Sequence, residues 1–391
     1  LGLGHMRRNL LIAGAISQAR PGVQTLLITG TGYANAFRIP DRVDILSLPS
    51  LWKVANGCYA PKRLHIDADE LSAFRTATMT AAIQSFRPDL FIVDKVPRGV
   101  RRELDPILAF LKEKTSARVV LGLRDILDDP CRVRDEWEKE SNTDAVRDFY
   151  DAVWIYGDPN VYNAVDEYSW SADIRQKISF TGYLDRTKEP ANPGVEVAEL
   201  LDSLCLETGF NLCVVGGGSD GFRVAEGVAK SGPSDRGTLI LAGPFMPQEQ
   251  IDRLKALSGN RSDTFVTRFS NEPLELYRRA GRVISMGGYN TMLELVGLGK
   301  RPLIVPRVRP RTEQLIRATR FRELGLVDVL HPDELSVDNL TSWLNSSPVR
   351  STGIRKRLDL GGLDKIADSI TSLTGPNHDL NRNGRPSYAA A

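Results

Sequence analysis

Cysteine and histidine are scarce in this chain, with four of each in 391 residues. Cys58, Cys131, Cys205 and Cys213 form no C-x-x-C pair, and their spacing indicates neither a disulfide framework nor a zinc cage. Free thiols in a reducing cytosol are the simplest account. His5, His65, His331 and His378 are scattered, which argues against a histidine metal site. No apolar run approaches the roughly 20 residues that span a bilayer, and no signal peptide is seen. An excess of charge of one sign is lacking too. Lys and Arg number 51 against 49 Asp and Glu, and a net charge of +2 gives no argument for nucleic acid. These absences point to a cytoplasmic protein with no cofactor and no metal, touching a membrane at most peripherally.

Hydrophobic residues make up 41% and charged residues 26%, in the range of a soluble globular protein. The length allows two domains with separate cores. The first half alternates short apolar runs ("VQTLLIT", "VDILSL", "DLFIVD", "ARVVLGL", "DAVWIYG") with helix-like segments ("ADELSAFRTATMTAAIQSF", "VRRELDPILAFLKEKT"). The second half repeats the pattern with "NLCVVGG", "TLILAGPF", "TFVTRF", "RVISM", "PLIVP" and "VDVL". Strand–helix alternation of this kind predicts parallel sheets with helices on both faces. The polar, proline-bearing stretch 185–194 reads as a linker between domains 1–184 and 195–374. The helix expected near "LDKIADSITSL" is placed as packing back toward the first domain. The tail 375–391 is polar and turn-rich and is expected to be disordered. The opening "LGLGHMRRNLLIAGAI" reads as a glycine turn into a helix, so a strand is expected before Leu1.

The densest signal runs from Ile284 to Ala318. An apolar strand meets Gly287 and Gly288, a helix follows with its apolar residues at helical spacing, and a second strand and helix come after it. Glycines let the backbone turn sharply and approach a ligand where a helix N-terminus exposes unpaired N–H groups. That combination favours a phosphate. Glu294 lies two turns along the first helix, within reach of a ribose, and Glu313-Gln314 opens the second, where it could hold sugar hydroxyls. Another glycine turn lies between a strand and a helix in "VVGGGSDGFRVAEGVA", Val214 to Ala229. There Gly216, Gly218 and Gly221 satisfy the G-x-G-x-x-G dinucleotide fingerprint. A dehydrogenase site also expects an acidic residue at the end of the next strand. "TLILAGPF" ends without one.

These motifs, in this order, resemble the glycosyltransferase-B superfamily. The resemblance is to the lipid II-forming GlcNAc transferases of peptidoglycan synthesis and, most closely, to a set of bacterial "predicted glycosyltransferases". It runs from "GLGHMRRN" to "VDVLHPDEL" near residue 334. It implies an α/β fold of two Rossmann-like parallel-sheet domains facing across a cleft. The activity implied is transfer of a sugar from a nucleotide diphosphate donor, UDP-sugar favoured, to an unidentified acceptor, lipid-linked or a small molecule. Donor-binding residues would be Gly217, Gly218, Ser219, Gly288, Asn290, Thr291, Glu294, Arg311, Glu313 and Gln314. Glu294 matches the family's ribose-binding glutamate, a carboxylate being an acceptor-only group suited to two hydroxyls. Gly4, Arg7 and Arg8 would meet the acceptor or a phosphate, while His5 matches the histidine of the family's "GGH" loop and is the preferred general base. Asp94 and Asp125, at strand ends, are the alternative bases or orienters of His5.

Retaining members carry a second glutamate eight positions before the donor-helix glutamate; here that position is Met286. An inverting reaction follows, and the lack of a suitably placed D-x-D motif suggests a metal-independent one. A UDP-sugar 2-epimerase of the same fold, or a non-catalytic nucleotide-sugar-binding protein, are the rival readings. The basic stretch "PRGVRRELDPILAFL", with Arg98, Arg101 and Arg102, is either a membrane-docking segment or a basic turn before a core helix.

Overall fold

A computed structural model describes residues 2–32, 37–55, 58–188, 195–259, 261–268, 270, 273–347, 349–374 and 388–390. The chain divides into two compact units, one of Leu1–Leu184 with Gly361–Ala391, the other of Asp185–Leu360. The second domain was expected to run to 374. Instead the chain returns to the first unit at Gly361, and the helix Gly362–Thr374 packs on the helix Leu3–Ala19.

In the first unit the strands are β1 (Gln24–Thr29), β2 (Val43–Ser47), β3 (Leu51–Ala55), β4 (Cys58–Pro61), β5 (Leu90–Asp94), β6 (Arg118–Arg124), β7 (Ala152–Tyr156) and β8 (Ile178–Phe180). The second unit holds β9 (Asn211–Val214), β10 (Thr238–Leu241), β11 (Thr264–Thr267), β12 (Arg282–Ser285), β13 (Leu303–Ile304) and β14 (Asp328–Val329), and the chain closes with β15 (Tyr388–Ala390) in the first. Apart from the antiparallel hairpin β3–β4, the pairings between these strands are parallel. The first sheet runs β2-β1-β15-β5-β6-β7-β8, seven strands. The tail expected to be disordered thus contributes a short strand between β1 and β5, while 375–387 and 391 lie outside the described residues, as do 189–194 of the expected linker.

The first unit's core begins on the helix Leu3–Ala19, where Met6, Leu10 and Ala13 stack at helical spacing against Leu27 and Val43. The helix Ala68–Phe86 begins at an Asp67 cap and ends with Arg87 in the left-handed region, just before Pro88 bars continuation. The expected single helix over 100–115 is divided: Arg101 and Arg102 have positive φ, and the α-helix proper is Asp105–Lys114. Pro106 is the reason, since proline suits a first turn but not a helix interior. The arginines of this stretch are engaged with acids, Arg98 with Asp105, Arg101 with Asp69 and Arg102 with Glu140. No helix among the described residues is long and apolar enough to cross a membrane.

The second sheet has six strands in the order β11-β10-β9-β12-β13-β14. Successive residues of β9 enter opposite cores, Leu212 and Val214 on one face, Cys213 and then Val215 on the other. This two-sided burial is why the run reads as continuously apolar. Chain order reverses between β9 and β12, which pair with Val214 beside Ser285. The segments leaving these two strands therefore start side by side, at the position where open α/β sheets bind ligands.

Candidate functional site

In the second unit, the β12 turn places Gly287 at φ +79°, and Gly288 caps the helix Tyr289–Gly297. A Cβ on Gly287 would stand 2.9 Å from Ile304 Cγ2, whereas one on Gly288 would meet no atom within 4 Å. The first glycine is required by packing; the second faces open space at the start of the helix, where backbone N–H groups point outward along the axis. The β9 loop shows the same division. Gly216 (φ +62°) faces open space, while Gly218 (φ +89°) lies so near the Ala242 carbonyl that a Cβ would stand 2.3 Å from it. Gly217 O accepts from Phe245 N at 2.8 Å, and Ser219 is exposed.

Asn290 and Thr291 are half-buried in the first turn of the helix Tyr289–Gly297, and Glu294 is buried one turn on. Arg186 Nη1 donates to Glu294 Oε1 at 3.3 Å. Glu313 and Gln314 begin the helix Glu313–Glu323 as expected. Glu313 is buried and ion-paired with Arg307, whose other terminal nitrogen lies 3.1 Å from Asp220 Oδ2 in the β9 loop. Gln314 Oε1 accepts from the Arg307 backbone N at 3.0 Å. Arg307 thus joins the two loops, and Arg311 is half-buried. A fully buried Arg317 donates from Nη1 to Gly287 O at 3.3 Å, with its guanidinium over the Tyr289 ring.

In the first unit, the helix Leu3–Ala19 starts at Gly2 (φ +127°), Gly4 is exposed and His5 is half-buried. His5 Nδ1 lies 2.7 Å from Asp94 Oδ2 at the end of β5, and Arg8 Nη2 lies 2.5 Å from Asp94 Oδ1. Burial works against the Asp94 charge, but Arg8 and then His5 outweigh it and hold the carboxyl well below the usual carboxylate range. An ionised carboxylate only accepts, so His5 Nδ1 carries the proton toward Asp94 and the neutral ring keeps its lone pair on Nε2. Burial is the largest influence on His5 and lowers its pKa; Asp94 opposes it, and Arg8 and Arg124 add to it. Of the two aspartates considered, Asp94 is the one joined to His5. Asp125 is buried just past β6, its Oδ1 accepting from Ile126 N at 2.8 Å. The acceptor or phosphate role expected for Arg8 does not fit its position, because it points inward at Asp94 with 2% exposure. Arg7 lies with its guanidinium 6.0 Å from the Phe37 ring centroid.

Arg186, Arg317 and Asp220 were missed in the sequence. Arg186 sits in a polar stretch that looked like linker, and its partner Glu294 is 108 residues away. Arg317 had a legible signal: it lies one turn after Glu313 on the same helix face.

Comparison with known proteins adds the family of this region. Residues 211–347 match the glycosyltransferase family 28 C-terminal domain. No curated protein sequence matches the chain. Among solved structures, UGT71G1 of Medicago truncatula, complexed with UDP-glucose, superposes with a TM-score of 0.64 at 12% identity, covering 96% of this chain and 97% of that one. Os79 from O. sativa, in complex with UDP, gives 0.60 at 14% identity, with 96% and 93% covered. CalG4, the calicheamicin glycosyltransferase, gives 0.53 at 14% identity, with 94% and 91% covered. At such identities the likeness concerns the fold, and it joins the family match on the second unit. The chain has the glycosyltransferase-B fold, and its residues 211–347 are similar to the glycosyltransferase family 28 C-terminal domain.

Proposed function

We propose that the protein transfers a sugar from a nucleoside diphosphate sugar, UDP-sugar favoured, to a hydroxyl acceptor with inversion at the anomeric carbon and without a metal. The observation that carries this reading is the pair of glycine turns leaving adjacent strands at the reversal of strand order, with a buried carboxylate, Glu294, one turn along the helix that follows. The open face of Gly288 and the N–H groups behind it would receive the diphosphate; Glu294 would accept from the ribose hydroxyls, and Glu313 and Gln314 from the sugar. His5 Nε2 would remove the acceptor proton as the hydroxyl oxygen attacks the anomeric carbon. The bond to the diphosphate breaks with its electron pair on the departing oxygen, so one C–O bond forms and one is lost. Helix N–H groups would stabilise the charge that develops there. UDP-bound and UDP-glucose-bound relatives of the same fold favour uridine.

The reading is tested by calorimetric titration with UDP, GDP, dTDP, ADP and NAD. Tight binding of one nucleoside diphosphate, lost in Glu294→Gln, supports the donor pocket and selects the donor for activity screens. Binding of NAD alone would overturn it. With that donor, His5→Ala is expected to bind normally and lose turnover by about 10²-fold or more, and EDTA to leave turnover unchanged.

A further inference from the structure

The two carboxylate oxygens of Asp94 are held by different partners. Oδ2 meets His5 Nδ1 at 2.7 Å, with Asn9 Nδ2 at 3.4 Å, and Oδ1 meets Arg8 Nη2 at 2.5 Å. That same Nη2 stands 2.9 Å from His5 Nδ1. Because Nδ1 bears a hydrogen directed at Asp94, the contact between Arg8 and the ring is not a hydrogen bond. It sets a fixed cation against the edge of the imidazole. The Arg8 guanidinium is 2% exposed and lies 5.8 Å from the Tyr156 ring centroid, so it is built into the unit and not offered to a substrate. Burying a guanidinium costs several kcal/mol unless excellent partners compensate. Transfer chemistry in which His5 is the base and Asp94 its orienter gives this arginine no task.

We propose that Arg8 is a positioning residue for the base: it pins the Asp94 carboxylate in the orientation that fixes the His5 tautomer, and cancels enough of its charge to keep the imidazole neutral. The inference rests on His5 being the base of the proposed transfer. A carboxylate alone beside a histidine stabilises the imidazolium, and a histidine already protonated cannot accept the acceptor's proton. The groups acting on His5 come from several elements. Asp94 at the end of β5 favours the charged ring; Arg8 on the same helix and Arg124 at the end of β6 oppose it. Tyr156 at the end of β7 faces Asp94 and Arg8 with its hydroxyl pushed far above its ordinary range by burial, and is uncharged. Two cations and one anion therefore surround a half-buried ring.

The test is an NMR titration of the full chain, which needs neither donor nor acceptor. The four histidines give few signals, and that of His5 is the one lost in His5→Gln. In the wild type it is expected to titrate below 6.5. Arg8→Gln can still donate to Asp94 but carries no charge, and should raise the His5 midpoint by about one unit, a tenfold gain in proton affinity. Arg8→Lys should restore the wild-type value, and Arg8→Met should behave like Arg8→Gln. A His5 midpoint in Arg8→Gln equal to that of the wild type overturns the proposal, and so does a lysine variant that titrates like the glutamine one. Failure of the underlying reading looks different: His5→Ala with undiminished turnover removes His5 as base while leaving the titration shift in place.

Discussion

At the scale of the residue, the proposed donor pocket rests on charges whose neighbours were invisible in the sequence. Glu294 was identifiable because a lone carboxylate interrupts an apolar helical window at a set distance from a glycine turn. Its ion pair with Arg186 was not, since nothing local links positions so far apart. Replacing Glu294 by Gln exchanges a charge-assisted acceptor for a neutral one, and calorimetry should show nucleoside diphosphate affinity falling about 10- to 100-fold, the value of one or two charged hydrogen bonds. Asp94 supplies a prediction in pH. Its carboxyl is held lower in the fold than in the unfolded chain, so the unfolded state binds more protons as acid is added. The stability it contributes is complete above the ordinary carboxylate range and is lost progressively as pH falls below that range toward the lowered folded value. Urea melts at a series of pH values should show a shallower acid slope for Asp94→Asn than for the wild type. His5 itself was legible as a histidine at a helix start, but its tautomer was not, because that is decided by a strand end 89 residues away.

At the scale of the element, the glycines separate into those the fold requires and those a ligand would require. Gly218 has positive φ and almost touches the Ala242 carbonyl. Gly218→Ala should therefore destabilise the second unit by roughly 1–3 kcal/mol, visible as a lowered midpoint in denaturant. Gly288 has ordinary φ and empty space where a side chain would go. Gly288→Ala should melt like the wild type yet bind the nucleoside diphosphate markedly less well, and equal binding would mean that no ligand approaches there. Most parallel strands were legible because two-sided burial makes them uniformly apolar. The hairpin β3–β4 was overlooked although Asn56-Gly57 between its strands is a hairpin signature in sequence. The helix Ala68–Phe86 was read with its bounds, but not the ion pair that ties it down: Arg75 Nε and Nη2 donate to Glu103 at 2.7 and 2.9 Å, both residues being buried. Glu103→Ala would leave Arg75 uncompensated and should cost about 3–5 kcal/mol in an unfolding experiment.

At the scale of the whole molecule, the second unit owns both of its cores and all the glycines and carboxylates of the proposed donor site. A polypeptide of residues 185–360 is accordingly expected to unfold cooperatively and to bind the same nucleoside diphosphate as the full chain, within about tenfold in affinity. The helix Gly362–Thr374 was legible as a helix and as packing back toward the first unit, but the point of return was not. No break in composition marks Gly361, and what assigns the segment is its packing on the helix Leu3–Ala19. At the crossing, Leu184 and Gly361 pair as an antiparallel bridge, and Gly362 N donates to Tyr183 O at 3.1 Å. The points where the chain departs from the first unit and rejoins it are therefore neighbours. In evolutionary terms the second unit is a cassette with adjacent ends, and a gene could acquire, lose or exchange it through two cuts while the sheet that received it stayed whole. A different second unit could then arrive by recombination at this one seam, with His5, Arg8 and Asp94 undisturbed.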